Sequence, residues 1–176
     1  MLFDLQPHLI GERVELRPLE EGDFPALFAV ASDPLIWEQH PSWDRYKEEV
    51  FQQFFREAMA SGGAFLVLDR ADDRVIGSSR YAGYDAEKSE IEIGWTFLAR
   101  SHWGGRSNGE MKRLMLDHAF RFVTSVYFVI GPNNIRSRTA VTRIGATFED
   151  QVNRNGKDVV IYRICKTDWP PLGSNL

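Results

Sequence analysis

A carboxylate followed by a glycine-rich turn is the part of this sequence best suited to chemistry. Glu92 lies in EIEIGWTFL, where apolar and polar residues alternate as in a half-buried β-strand. The turn HWGGRSNGE follows directly and leads into an amphipathic helical pattern. A helix N-terminus binds phosphate, because its first N–H groups have no intrahelical partner and the helix dipole is positive there. The sequence therefore predicts a nucleotide-linked cofactor held beside a carboxylate.

The strand predicted at residues 90–98 has one apolar and one polar face. The apolar face is formed by Ile91, Ile93, Trp95 and Phe97, and the polar face by Glu90, Glu92 and Thr96. Glu92 is central on the polar face, where a carboxylate can take a proton from an amine, directly or through water. The alternative is a solvated carboxylate with no chemical role. Glu90 shares this face and is the weaker candidate.

The surrounding patterns predict an α/β fold with a mixed, mainly antiparallel central sheet of about seven strands, flanked by about four helices. Strands are predicted at residues 13–19, 64–68, 74–81, 90–98, 126–130, 146–152 and 157–165. The three strands between residues 64 and 98 are expected to pair as an antiparallel meander, and the last two strands to flank a turn at Asn155-Gly156. Helices are predicted at residues 23–30, 46–60, 109–123 and 134–145, the last capped by Asn133 or Asn134. The apolar run at residues 126–130 is expected to be covered on both faces.

Composition limits the class of protein. A chain of 176 residues, with 43% hydrophobic and 26% charged residues, is typical of one soluble domain, here residues 1–176 with a core at about 13–169 and a mobile tail. A net charge of −4 without a basic stripe argues against direct nucleic-acid binding, and no apolar run is long enough to span a membrane. The single Cys165 and the absence of a signal-peptide pattern predict a cytoplasmic protein. The histidines show no metal-binding spacing, so no metal is expected.

The order of these motifs resembles the GNAT (GCN5-related N-acetyltransferase) superfamily, and within it the RimJ/RimL-like branch. In that superfamily, Gln/Arg-x-x-Gly-x-Gly/Ala ends a strand and holds the acetyl-CoA pyrophosphate. The corresponding segment here is Trp103-Gly104-Gly105-Arg106-Ser107-Asn108. A later Asn-x-x-Ser/Ala pattern that ends in glycine falls on Asn134, Ser137 and Gly145. IEIGW, VELRPLEEGDF and TDWP are also similar, so the resemblance spans about residues 13–169.

This resemblance implies direct transfer of an acetyl group from acetyl-CoA to a primary amine, either a protein N-terminus or a small molecule. It also implies that the strands on either side of the helical crossover part to admit the pantetheine arm, and it allows a monomer or a homodimer. Catalytic roles fall on Glu92 as base and on Asn134, whose alternative role is a helix N-cap. Cofactor contacts fall on Trp95, Thr96, Phe97, Leu98, Trp103, Gly104, Gly105, Arg106, Ser107, Asn108, Gly109, Asn134 and Ser137.

Three departures from the family pattern bear on the phosphate site and on the leaving thiolate. Arg106 replaces the central glycine and Asn108 a Gly or Ala, so Arg106 either blocks the phosphate or adds a charge-assisted contact. Val141 replaces a tyrosine proposed to protonate the leaving thiolate. Tyr162 is a substitute for that tyrosine or a core residue. These departures motivate a second hypothesis, a degenerate domain that binds acyl-CoA as a sensor or interaction module.

Aromatic residues between the first two predicted helices are candidates for the acceptor site. Trp37, His40 and Trp43 either line a groove for the amine or anchor this connection to the core. Three arginines of the last helix either meet the 3′-phosphate of the cofactor or are solvated, namely Arg136, Arg138 and Arg143.

Overall fold

One eight-stranded β-sheet runs through the molecule, in a computed structural model that describes residues 2–170. The strands are β1 (Leu9–Ile10), β2 (Val14–Pro18), β3 (Ala64–Asp69), β4 (Val75–Asp85), β5 (Glu90–Leu98), β6 (Ser125–Ile130), β7 (Thr147–Arg154) and β8 (Lys157–Cys165). The helices are α1 (Phe24–Ala31), α2 (Glu48–Ser61), α3 (Arg106–Ala119) and α4 (Ile135–Arg143). The predicted fold class is confirmed, and the additional strand is the two-residue β1. The predicted mobile tail falls largely on residues 171–176, which lie outside the described range.

The sheet order is β1-β2-β3-β4-β5-β6-β8-β7. Every neighbouring pair is antiparallel except β5 and β6, which are parallel and are joined through α3. The predicted β3-β4-β5 meander is therefore confirmed. The predicted turn between β7 and β8 is also confirmed, with φ of +54° at Asn155 and +79° at Gly156, as a two-residue hairpin turn requires.

Apolar side chains form two cores, one on each face of the sheet. The core that includes α3 and α4 contains Ile91, Ile93, Met111, Met115, Phe128 and Val141. The core that includes α1 and α2 contains Leu27, Phe51, Phe54, Leu66 and Phe97. We call these sides of the sheet the α3 face and the α1 face.

Strand β5 changes faces in its middle, which the regular alternation of its sequence does not predict. Trp95 has a φ of +51°, and the pairing shifts from Arg80 opposite Gly94 to Ser78 opposite Phe97. Two residues of β5 thus oppose one of β4, which is a β-bulge. The prediction that Trp95 and Phe97 share a face with Ile91 and Ile93 is wrong, because both lie on the α1 face. Thr96 correspondingly lies on the α3 face and not on the face of Glu92.

Two further predictions need correction. Helix α3 begins at Arg106 and ends at Ala119, whereas residues 109–123 were expected. Gly105 is extended and allows the helix to start earlier, and the backbone tightens into turns after Ala119. Strand β6 is not covered on both faces, because Tyr127 and Val129 are only half-buried on the α1 face.

A buried polar cluster joins α3 to the central strands on the α3 face. Lys112 is 5% exposed, and its Nζ donates to the Thr96 hydroxyl at 2.6 Å. Thr96 Oγ1 lies 2.8 Å from the Ser79 hydroxyl of β4. Burial lowers the pKa of Lys112 to about 7, because the ammonium group loses its hydration.

When the pH is raised from about 7 to about 9, the free energy of unfolding of the natural protein should increase. The increase should be about 2 kcal/mol larger than that of the Lys112→Met variant. The unfolded chain keeps an ordinary lysine pKa and binds more protons than the folded chain over this range, so stability increases with pH. Urea denaturation of both proteins at each pH measures the difference. An equal pH dependence in the two proteins would contradict the burial of a titrating Lys112.

Glu110 attaches helix α3 to the turn between β1 and β2. Its carboxylate accepts the backbone N–H groups of Glu12 at 2.9 Å, Arg13 at 2.8 Å and Val14 at 2.9 Å. Gly11 permits this contact, since a Cβ at that position would meet Glu110 Cδ at 2.6 Å. The first turns of α3 are therefore held against the start of β2.

Glu110→Ala should lower the free energy of unfolding by about 2–4 kcal/mol, because three N–H groups lose a charged acceptor. Glu12→Ala is the matched control, since the Glu12 side chain is 88% exposed and its backbone N–H is retained. Chemical denaturation measures both variants. A loss in Glu110→Ala no larger than that in the control would show that this attachment contributes little.

Candidate active site

Strands β5 and β6 pair at three positions and then part. The pairs are Glu90 with Ser125, Ile91 with Val126 and Glu92 with Tyr127. Beyond Glu92, β5 continues to Leu98 and β6 to Ile130 without further pairing to each other. The parting that the family resemblance implied is confirmed. It leaves backbone of the bulged half of β5 free on the side of β6.

Glu92 lies where the two strands part. Its side chain is 4% exposed, and one carboxylate oxygen accepts a hydrogen bond from Arg154 Nη1 at 3.0 Å. The alternative of a solvated carboxylate is therefore wrong. Burial raises the pKa of Glu92, although the positive charges of Arg154 and Arg80 oppose the shift. A raised pKa favours proton uptake by this carboxylate near neutral pH.

Glu90 is held in a separate ion-pair cluster. Arg163 Nη1 donates to Glu90 at 2.7 Å and to the Ser125 hydroxyl at 2.9 Å. Arg163 Nε donates to Glu149 at 2.7 Å. These contacts link β5, β6, β7 and β8 at the end of the sheet where β5 and β6 are still paired. Glu90 therefore has a structural role.

The N-terminus of α3 presents backbone donors near the bulged half of β5. Gly104 has a φ of +65°, and the N-cap residue Gly105 is extended and has no side chain to cap the helix. Four predicted cofactor residues belong to the first turns of the helix rather than to the preceding turn, namely Arg106, Ser107, Asn108 and Gly109. Their uncapped N–H groups are available to an anion.

Side chains of the predicted cofactor segment of β5 are engaged in packing. Thr96 faces Lys112, Phe97 packs in the core of the α1 face and Leu98 in that of the α3 face. Trp103 donates its indole N–H to the Leu98 carbonyl oxygen at 2.9 Å. The side chains of Thr96, Phe97 and Leu98 are therefore occupied by contacts within the protein.

Helix α4 brings Asn134 and Ser137 together. Asn134 is 9% exposed, and its side-chain oxygen accepts the Ser137 N–H at 3.2 Å, so the N-cap role is confirmed. Val141 is 4% exposed and lies in the core of the α3 face. Tyr162 is 7% exposed, and its hydroxyl accepts a hydrogen bond from Arg138 Nε at 3.1 Å. This packing agrees with the interpretation of Tyr162 as a core residue.

Arg136 connects α4 to two other segments. Its guanidinium lies 4.1 Å from the ring centroid of Trp103. It also donates to the Glu38 carboxylate at 3.2 Å and to the Leu35 carbonyl oxygen at 3.3 Å. Arg136 and Arg138 are thus engaged in protein contacts, whereas Arg143 is exposed.

The three aromatic residues between α1 and α2 have different roles. Trp37 is 2% exposed and donates its indole N–H to the Ala31 carbonyl oxygen at 2.7 Å, so it anchors the connection. Trp43 is 57% exposed. His40 packs edge-on against Trp37, and burial together with the charge of Arg45 lowers its pKa to about 3. His40 is therefore neutral at physiological pH.

Sequence reasoning missed two buried cations, Arg80 of β4 and Lys112 of α3. Arg80 is 5% exposed and lies on the α1 face, where its charge acts on Glu92. The available signal was a charged residue between small and apolar residues in SSRYAGY, where the strand alternation leaves no solvated position for it. Arg45, between α1 and α2, lies close to Arg80 and was also missed.

Within residues 2–170, no group of three or more His, Cys, Asp or Glu side chains is arranged to hold a metal ion. No helix among the described residues has the length and apolar character needed to cross a membrane. A concavity of about 550 Å³ lies between α1 and the turn at residues 99–102, and Glu92 is not among the residues that line it.

Comparisons with known proteins give the family. Residues 13–147 match the family described as acetyltransferase (GNAT) domain. A Bacillus licheniformis protein described as uncharacterized N-acetyltransferase p20 is 29% identical over 117 residues, which cover 64% of this chain and 65% of that protein's length. The chain thus matches just under two thirds of that relative.

Solved structures share the fold. A GCN5-related N-acetyltransferase from Brucella melitensis is 22% identical with a TM-score of 0.78, over 94% of this chain and 81% of that one. RimJ of Mycobacterium smegmatis, in complex with CoA-disulfide, is 19% identical with a TM-score of 0.72, over 90% of this chain and 84% of that one. The family match extends over most of the sequence, and the fold agrees with it: the chain belongs to the GNAT acetyltransferase family.

Proposed function

We propose that this protein is an N-acetyltransferase of the RimJ/RimL-like branch, which transfers an acetyl group from acetyl-CoA to a primary amine. The observation that carries the proposal is the buried Glu92 carboxylate at the point where β5 and β6 part. A carboxylate of raised pKa beside a gap in the sheet is suited to accept a proton from an amine. The RimJ neighbour, which was solved with a CoA derivative, supports both the branch and the cofactor.

The described residues fit acetyl-CoA. The uncapped N–H groups at the start of α3, with Gly104 and Gly105 before them, suit the pyrophosphate. The backbone of residues 95–98 suits the pantetheine arm, and Asn134 and Ser137 flank the same region from α4 in this proposal. When bound, acetyl-CoA supplies the acetyl group as an activated thioester.

Glu92 acts as the general base in this proposal. Overall, the amine nitrogen would form a bond to the acetyl carbon as the thioester C–S bond breaks, with the CoA sulfur leaving as a thiolate that ends as the free thiol. The Glu92 carboxylate takes the proton that the nitrogen loses, directly or through a water molecule. Arg154 orients the carboxylate through its hydrogen bond and favours the ionised state that accepts the proton. No covalent acyl-enzyme is required.

Glu92→Gln should lower kcat by about 10²–10⁴-fold while leaving the acetyl-CoA Kd within about threefold, because the amide cannot accept the proton. In the natural protein, kcat/KM should rise with pH through a pKa above the usual glutamate range, and this limb should be absent from the variant. Steady-state rates across pH and calorimetric titration measure both quantities.

Glu149→Gln is the control for this experiment, since Glu149 is a partly exposed carboxylate in the neighbouring ion-pair cluster. Its rates should stay close to those of the natural protein. Equal activity in Glu92→Gln and the natural protein would remove Glu92 from the mechanism.

Arg106→Ala should weaken acetyl-CoA binding by about 3–10-fold, because Arg106 is exposed at the first helical position and adds positive charge where the phosphates are proposed to bind. Calorimetry at low and high salt measures the effect, which salt should reduce. Arg56→Ala, which removes an exposed arginine of α2, is the control. Tighter binding in Arg106→Ala would identify the arginine as an obstruction.

No binding to the natural protein at millimolar acetyl-CoA would reject the proposed function.

A further inference from the structure

Arg80 is a buried cation with unused hydrogen-bond donors. It is 5% exposed, and its Nε and Nη2 have no hydrogen-bond partner among the described residues. Its guanidinium lies 4.6 Å from the ring centroid of Trp95 and 5.5 Å from that of Phe54. Aromatic faces attract the charge but do not accept the in-plane N–H groups. Buried charged donors are costly when unpaired, so this arrangement indicates a missing acceptor.

The surroundings of Arg80 contain further donors and positive charge. The Arg45 guanidinium lies 4.7 Å from the same Phe54 ring, and its Nη1 is 3.3 Å from His40 Nε2. His40 Nδ1 accepts the Ser42 N–H at 2.9 Å, so the neutral ring carries its hydrogen on Nε2. Burial lowers the pKa of Arg45 and of Arg80 to about 10 each, so both remain charged at neutral pH.

The nearby carboxylates do not supply the missing acceptor. Glu92 precedes Gly94 by two residues on the same face of β5, and Gly94 pairs with Arg80, so Glu92 and Arg80 are diagonal neighbours. Glu92 is nevertheless hydrogen-bonded to Arg154 and not to Arg80. Glu57 is exposed and bonded to Gln53 on α2. The positive charge of Arg80 is thus not matched by a hydrogen-bonded carboxylate of this region.

The open donors lie on the side of the sheet opposite α3. Arg80, Trp95 and Phe54 belong to the α1 face, next to the connection that carries His40 and Arg45. The helix N-terminus proposed to hold the phosphates belongs to α3, on the other face. An anionic group bound by Arg80 would therefore belong to the amine substrate and not to the cofactor phosphates.

We propose that the acceptor amine carries a carboxylate, which Arg80 and Arg45 bind while Glu92 receives the proton of the amine. Glu92 and Arg80 are neighbours in the sheet, so the amine and the carboxylate of the substrate should also be close together. An α-amino acid is the simplest molecule of this class, because both groups are attached to one carbon. This inference rests on the proposed acetyl transfer and narrows its substrate class. It distinguishes free amino acids from peptide N-termini, in which the first carboxylate is replaced by an amide.

The test uses matched substrates that differ in one group. Common α-amino acids and their α-carboxamides serve as acceptors, with acetyl-CoA as donor and release of free thiol as the readout. The acids should show kcat/KM values about 10–100-fold above those of their amides, because a bidentate arginine contact is available to the carboxylate alone. Equal values for acids and amides would overturn the proposal.

Two variants assign this preference to the cluster. Arg80→Gln should reduce the preference for acids to about threefold or less, and Arg45→Gln should reduce it in part. Arg56→Gln should retain it, because Arg56 is exposed and contacts Gln53 instead. Acetyl-CoA titration establishes that each variant is folded, and Arg45→Gln keeps the test valid if Arg80→Gln does not fold. An equal loss for acids and amides in Arg80→Gln would assign Arg80 to the reacting carbonyl and overturn the proposal.

A binding measurement separates this inference from the proposed function. Calorimetry compares N-acetyl amino acids with their amides as ligands of the natural protein, which requires no turnover. Preferential binding of the acids without turnover of any acceptor would support the carboxylate site and reject the transferase. Turnover without a preference for acids in either assay would support the transferase and reject the carboxylate site.

Discussion

The positive φ at Trp95 is the constraint on which the central part of the molecule depends. A non-glycine residue in this region of φ/ψ space is strained, so the surrounding packing must stabilise it. The bulge reverses which face each later residue of β5 occupies. Thr96 thereby meets Lys112, and Phe97 joins the aromatic cluster of α2. Without this shift, Thr96 would lie on the α1 face and Phe97 on the α3 face.

Buried charge is concentrated along the middle of β4 and β5. Glu92, Arg80 and Lys112 are each at least nine-tenths buried, on two faces of the same pair of strands and the helix that covers them. Burying three ionisable groups is unfavourable unless each has a hydrogen-bond partner. Glu92 is bonded to Arg154 and Lys112 to Thr96, whereas Nε and Nη2 of Arg80 have no partner among the described residues. A fold selected for stability alone would place apolar side chains there. In the proposed function, Glu92 and Arg80 contact the substrate, which accounts for two of these three buried groups.

Much of the architecture followed from sequence patterns, because alternation, helical periodicity and glycine turns are local. The span of β5, the hairpin at Asn155 and the cap at Asn134 are of this kind. The change of faces at Trp95 was not predictable, since it arises from register with β4 and not from the residues of β5. The partners of buried ions were hidden for the same reason, as Arg154 lies 62 residues from Glu92.

The family motifs predicted the parting of β5 and β6 but assigned cofactor roles by position alone. The structure adds what each side chain already contacts. Thr96 and Phe97 are engaged with the protein interior, which leaves their backbone for any ligand. The side chain of Tyr162 is likewise engaged with the protein, because its hydroxyl accepts a hydrogen bond from Arg138 and its ring packs in the core of the α3 face. Position within a motif and availability for chemistry are thus separate properties.

Arg136 has a consequence for protein engineering. Its side chain touches Trp103 before α3 and the carbonyl oxygen of Leu35 in the connection between α1 and α2. Exchanging that connection with one from a homologue, in order to alter selectivity, would remove acceptors that this guanidinium uses. The connection and the start of α4 would therefore have to be transplanted as one unit, although about a hundred residues separate them along the chain.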